Sequence, residues 1–166
     1  LITALLLTPA GAHGFDTELL SATQSTITDD YLGPVTPKDV IYQIITDRFY
    51  DGDPTNNIPA GFDPDLFDGT GTDIRLYQGG DWQGKIPYLK SMGITAVWIS
   101  APYANRDQAT HDGWTSYHGY HARNYFTTNK HFGTMAEFDE LQQELTDAGI
   151  KLVIDFVTNH SSDSRY

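Results

Sequence analysis

Between positions 51 and 57 the chain brings Asp51, Asp53, Asn56 and Asn57 close together, and Gly79 and Asp81 follow about a loop's length further on. All of these offer hard oxygen atoms, from carboxylates, side-chain amides or backbone carbonyls. A loop can wrap such donors round one cation. Calcium takes about six to eight oxygens in a flexible geometry, and it accepts amide and carbonyl oxygens beside carboxylates. The helix-loop-helix calcium hand does not fit, because Thr55 stands where a ligand belongs and no Gly follows at the bend. The residues alone leave a second reading open, an acidic turn in an acidic protein.

Two further stretches are chemically dense. Tyr117 to Tyr125 reads YHGYHARNY. Aromatic rings at the mouth of a barrel can stack on the apolar faces of sugar rings, and they lose little side-chain entropy on binding. His111, His118, His121 and His131 fall near one another in this region. Zinc would need three or four of them to converge, and no helical His-x-x-x-His spacing is present, so zinc is not expected. Asp155 to His160 reads DFVTNH and closes an apolar run. Polar residues where a barrel strand ends read as site residues; a structural Asp and a satisfied His are the alternative.

The elements that must position these residues alternate in type. Val40 to Thr46 is a β-branched, aromatic-rich strand with the apolar character of burial on both faces. A long loop, Tyr50 to Gly80, is crowded with Gly, Pro, Asp and Asn; loops of that length are usually functional. Asp81 can cap a helix carrying Trp82, Ile86, Leu89 and Gly93 at helical spacing, with Pro87 as a weakness. Ala96 to Ser100 is a second strand, followed by a polar and aromatic loop to Gly133. Thr134 and Glu137 form a capping box ahead of a stripe of Phe138, Leu141, Leu145 and Ala148, and Gly149 stops that helix. Lys151 to Phe156 is the third strand.

Strand, helix, strand, helix, strand predicts an α/β fold with a parallel sheet. Long loops after the strands and short ones after the helices are the asymmetry of a (β/α)8 TIM barrel whose strand C-terminal ends carry the site. A dinucleotide-binding sheet is the structural rival, but Asp51-Gly52-Asp53-Pro54 stands where G-x-G-x-x-G would be needed. The length of 166 residues is short for such a barrel, which usually takes about 250 residues.

The formal charge of −12, from 22 acidic against 10 basic residues, disfavours nucleic acid and anionic membranes as partners. There are no cysteines, so neither a disulfide nor a thiolate metal site exists. Leu1 to Leu7 is a short apolar run, and Ala10-Gly11-Ala12 offers small residues at a spacing that signal peptidase accepts. The expectation is therefore a secreted, extracellular protein cleaved after Ala12. Residues 13–38 would form an irregular lead-in, and residues 39–166 the barrel portion.

Together these stretches resemble the α-amylase family of glycoside hydrolases, above all its cyclodextrin glucanotransferase and maltogenic amylase branch. DVIYQIITDRFYDGDPTNN is similar to that branch's first strand and calcium loop, and RLYQGGDWQGKIPYLKSMGITAVWIS to its first helix and second strand. Ser116-Tyr117-His118-Gly119-Tyr120 and DFVTNH resemble two further motifs of the family. The likeness runs from Asp39 to about Ser162.

The resemblance implies a retaining enzyme that cleaves α-1,4-glucosidic bonds in starch or other α-glucans, as a hydrolase or a transglycosylase. It implies a first calcium held by Asp51, Asp53, Asn56, Asn57, Gly79 and Asp81, and a second for which Asn159 is one ligand. It implies that Tyr120 and His160 contact the glucose at the cleaved bond, that His121 stands where the glucanotransferases often carry Trp, and that Arg75 contacts sugar further along the groove. Some relatives bridge the calcium loop with a disulfide at the places of Gly71 and Gln78, and Val157-Thr158 replaces a commoner Ala-Pro. In this family the catalytic carboxylates follow strands four, five and seven. The expectation is thus an N-terminal piece of about three βα units that contains no catalytic residue, is inactive alone and belongs to a monomeric enzyme; Asp155 would orient its neighbours. A non-catalytic module that binds glucan or calcium is the alternative class.

Overall fold

Short apolar runs set between polar loops give short strands, and the computed structural model shows how they associate. It describes residues 32–83 and 86–162. The expected signal segment, Leu1 to Ala12, and the lead-in as far as Tyr31 lie outside the described residues. The elements are β1 (Ile41–Ile44), α1 (Ile86–Ser91), β2 (Ala96–Ile99), β3 (Tyr103–Asn105), β4 (Ala122–Thr128), α2 (Met135–Asp147) and β5 (Lys151–Ile154).

The sheet is parallel in the order β1-β2-β5, with Ile41, Ala96 and Lys151 at one level and Ile44, Ile99 and Ile154 at another. Ile44, Val97 and Ile99 meet Leu89 of α1, Leu141 and Leu145 of α2, Trp82 and Phe132 in one core. Each such side chain contributes about 1.5–3 kcal/mol when fully buried. The expectation of strands buried on both faces is corrected here: Ile41 is 49% and Trp98 37% exposed. Among the described residues the helices cover only one face of the sheet. The apolar sequence of the strands describes a sheet with two covered faces.

Helix α2 forms as its sequence predicts. Thr134 Oγ1 accepts from the Glu137 backbone N–H at 3.3 Å, while Glu137 Oε2 accepts from the Thr134 N–H at 2.6 Å. Leu141 and Leu145 turn inward, and Gly149 closes the helix at φ +74°.

The first helix differs from expectation. Its described residues are Ile86–Ser91, and Trp82 sits in a bend with its indole against the Phe138 ring, centroids 4.9 Å apart. Asp81 does accept from the Gln83 N–H at 2.7 Å, but its other oxygen takes the N–H groups of Gly52 and Asp53, so it anchors the preceding loop. Pro87 stands in the first described turn of α1.

The loop after β2 also differs. It contains an antiparallel ribbon, β3 with β4, whose register shifts twice along β3. Residues 106–121 separate the two strands, so no two-residue hairpin turn announces them, and most of β4 is exposed. No helix among the described residues is long and apolar enough to cross a membrane.

Candidate functional site

Two loops leave the C-terminal ends of β1 and β2 and meet beside the end of β5. The first is tied together by its own polar side chains. Asp47, buried just past β1, accepts from the backbone N–H groups of Gln78 (3.0 Å) and Gly79 (3.3 Å). Burial pushes its carboxyl up to about 6, against the pull of those donors and of Arg48. Asp53 Oδ1 caps Thr55, which holds its carboxyl below the usual range. Asp81 binds Gly52 and Asp53 as described, and burial raises its pKa.

The six residues expected around a first calcium therefore divide. Asp53 and Asp81 are engaged by backbone and hydroxyl donors. Asp51, Asn57 and Gly79 come together: Asn57 Nδ2 donates to Asp51 at 2.8 Å, and a Cβ on Gly79 would lie 2.5 Å from Asn57 Oδ1. Gly79 has φ +94°, so glycine is required there for conformation and for space. The amide oxygens of Asn56 and Asn57 are buried and have no hydrogen-bond partner. Buried amide oxygens without donors are costly unless something positive meets them, and an oxygen-seeking cation suits that need. Among the described residues, no three His, Cys, Asp or Glu side chains converge as a metal site; amide and carbonyl oxygens would have to supply most of the ligands.

Gly71 and Gln78 are neighbours, as a cross-link between their positions would require. The Gly71 N–H donates to Gln78 Oε1 at 2.8 Å, and Gln78 Nε2 reaches Asp68 and the Asp73 carbonyl. A polar knot occupies the place of the disulfide.

The second loop presents rings. Tyr120 donates its hydroxyl to Asp155 at 2.8 Å, and its carbonyl faces His160 Nε2 at 2.9 Å. A carbonyl only accepts, so His160 carries its proton on Nε2, which leaves Nδ1 to accept from Asn159 Nδ2 at 2.8 Å. The hydrogen bond to Asp155 raises the Tyr120 hydroxyl pKa. His118 accepts the Tyr120 N–H on Nδ1, and burial together with His121 pushes its imidazole down to about 4. His121 Nδ1 meets Ser116 Oγ at 3.0 Å; burial first, then Arg106 and His160, lower its pKa.

Tyr120 thus meets both Asp155 and His160 beyond the end of β5, and His121 follows it in the chain with its own bonds to Ser116 and Asn105. Asn159 sits beside His160, to which its side-chain amide donates. Arg75 belongs to the first loop, where it pairs with Asp73 through two hydrogen bonds of 2.9 and 2.6 Å, and its carbonyl accepts from Thr115 of the second loop.

The remaining histidines do other things. His131 is buried, stacks on Tyr77 at 3.8 Å and donates from Nδ1 to the Asn57 carbonyl at 3.2 Å, whereas His111 is exposed. Sequence reasoning missed this support for Asn57, and it missed Arg48, whose guanidinium lies over the Tyr117 ring. Position within T-D-R-F at the end of the first strand was the available signal for Arg48.

The family model for the alpha amylase catalytic domain matches residues 43–166. The cyclomaltodextrin glucanotransferase of Bacillus sp. (strain 1-1) is 49% identical over 130 residues, and that of Paenibacillus macerans 51% identical over 132. In both cases the match covers 75% of this chain and 18% of the relative, so the chain spans about a fifth of their length. The crystal structure of CldA, a cyclomaltodextrin glucanotransferase with a three-domain ABC distribution, superposes with a TM-score of 0.71 at 45% identity, covering 75% of this chain and 26% of that one.

Proposed function

Because the chain belongs to the alpha-amylase family through its catalytic domain, we propose that it forms the opening part of a (β/α)8 barrel in a secreted enzyme that cleaves or transfers α-1,4-glucosidic bonds of starch-like α-glucans. The observation that carries this reading is the platform at the end of β5, where Tyr120 is held by Asp155 through its hydroxyl and by His160 through its carbonyl. A tyrosine held at its hydroxyl and at its backbone carbonyl presents its ring to a sugar at little entropic cost. His160 keeps its Nδ1 acceptor on Asn159, and His121 borders the same surface. Arg75, with its fork aligned by Asp73, is the contact for glucose units further along the groove.

No acidic residue here is assigned to bond cleavage. Asp155, the acid beside the platform, is engaged by Tyr120. In a retaining mechanism the nucleophile and the acid/base are a pair of carboxylates about 5–5.5 Å apart across the scissile bond, and we place both on later strands of the complete domain. The transglycosylase form of the reaction is favoured by the glucanotransferase relatives.

The first loop fits calcium. The ligands would be Asp51, the amide oxygens of Asn56 and Asn57, the Gly79 carbonyl and, through rearrangement of their present hydrogen bonds, Asp53 and Asp81. When bound, the ion supplies positive charge to oxygens that otherwise lack donors and fixes the loop that carries Arg75. Asn159 would join a second ion with ligands from elsewhere in the domain.

The test is turnover of soluble starch by the full-length enzyme, with product analysis separating linear from cyclic sugars. Tyr120→Leu removes both the ring and the bond to Asp155, effects of about 0.5–1.5 and 1.5–3 kcal/mol. The ring's contribution sets an expected loss in kcat/KM of roughly 2- to 13-fold, while the lost bond to Asp155, which is made within the folded protein, lowers the melting temperature. Undiminished activity in that variant would remove Tyr120 from the site.

A further inference from the structure

The carbonyls of residues 74, 75 and 76 are all held by side chains from outside their own segment. Arg48 Nη2 donates to the Ile74 carbonyl at 2.8 Å and the Leu76 carbonyl at 3.0 Å. Thr115, buried in the second loop, donates both its N–H and its hydroxyl to the Arg75 carbonyl, each at 2.9 Å. The Arg48 Nε lies 3.3 Å from Asp47, itself fully buried. The central carbon of the same guanidinium lies over the Tyr117 ring, 3.9 Å from its centre. Tyr117 continues to His118 edge to face at 5.3 Å, and His118 accepts the Tyr120 N–H. One side chain, rooted at the end of β1, therefore touches the backbone on both sides of Arg75 and the first ring of the segment that ends in Tyr120.

We propose that Arg48 is a positioning residue that clamps Arg75 and the Tyr117–Tyr120 platform at a fixed separation, and so sets how a long α-glucan is gripped. This rests on the reading of Arg75 and Tyr120 as sugar contacts. The arrangement demands arginine. A planar cation with several donors in a fork can serve two carbonyls, a carboxylate and a stacked ring at once, whereas a lysine ammonium is a point charge without a stacking face. Asp47 holds the guanidinium in place from a buried position, so the clamp is preorganised before substrate arrives. Arg48 itself touches no sugar in this scheme. It acts through Arg75, further along the groove, and through Tyr117.

The experiment is steady-state kinetics of the full-length enzyme on short and long linear maltooligosaccharides, comparing Arg48→Lys, Arg48→Gln, Tyr117→Leu and Arg75→Ala, with thermal unfolding recorded for each. A merely structural role would lower the active fraction, and so kcat, equally for every substrate length. The clamp instead predicts that Arg48→Lys and Arg48→Gln raise KM for the long substrates by roughly tenfold, as loss of charge-assisted contacts does, with a much smaller change for the short ones. Arg75→Ala should reproduce that length dependence, and Tyr117→Leu should reproduce part of it. If Arg48→Gln does not fold, Arg48→Lys and Tyr117→Leu carry the test.

Length dependence in Arg75→Ala but none in the Arg48 and Tyr117 variants would overturn the clamp and leave the substrate reading standing. No length dependence in Arg75→Ala would overturn the sugar contact, and the clamp with it.

Discussion

The loop after β1 and the loop after β2 arrive at the same end of the sheet, but they are ordered by different chemistry. Residues 45–83 form no strand. Asp47, Asp53, Asp63, Asp68, Asp73 and Asp81 each accept from a backbone N–H, and Gln78 ties the far turn together. Residues 101–133 use a backbone ribbon and contacts between rings, such as Tyr103 with Tyr125 and Phe156. Six of the 22 acidic residues that give the chain its negative charge are thus internal scaffolding of one loop. The difference also separates what each loop can offer: oxygen atoms for a cation in the first, apolar faces for a ligand in the second.

Tyr77 joins the two regions, and its removal should have the largest effect on stability. It is 1% exposed, stacks on His131 and meets Phe62 edge to face at 5.6 Å. Tyr77→Ala should destabilise the full-length protein by about 3–5 kcal/mol, the range for truncating a buried aromatic side chain, as read from chemical denaturation. A loss below 1 kcal/mol would mean that the loops are ordered independently.

A smaller effect separates the loops by pH. His118 belongs to the second loop and is held neutral down to about 4 by burial and His121. The unfolded chain takes up that proton near the ordinary histidine value of 6.5, and the folded chain does so only near 4. Between those values the unfolded state binds more protons, so this group lowers stability as pH falls and restores it as pH rises. His118→Asn, which keeps an acceptor for the Tyr120 N–H, should flatten the fall in melting temperature between pH 6.5 and 4. Parallel curves for variant and wild type would contradict this.

How far the fold could be read from sequence follows the same division. The three parallel strands and α2 were legible because apolar runs, the Thr134–Glu137 capping box and Gly149 are local signals that agree with one another. The start of α1 was misplaced because Asp81 looks like a helix cap, and sequence cannot show that it also reaches back to Gly52 and Asp53. The ribbon of β3 and β4 was hidden by the long segment between its strands and by the exposed side chains of β4. At the site, Tyr120, His121 and His160 were named from their motifs and Tyr120 does meet His160, but the bond from Tyr120 to Asp155 spans 35 positions and leaves no trace in spacing. Arg48, and the support that His131 gives Asn57, went unnoticed for the same reason, since the partners Tyr117 and Asn57 are distant in the chain.

Whether the first loop holds calcium is measured most directly by thermal unfolding of the full-length enzyme in calcium and in excess EDTA, for wild type and for Asn57→Ala. An ion at about a hundred times its dissociation constant stabilises the folded form by about 2.7 kcal/mol. The wild type should therefore melt several degrees lower in EDTA, while Asn57→Ala should melt low in both conditions with a diminished difference. Identical wild-type melting temperatures with and without the chelator would contradict the calcium reading.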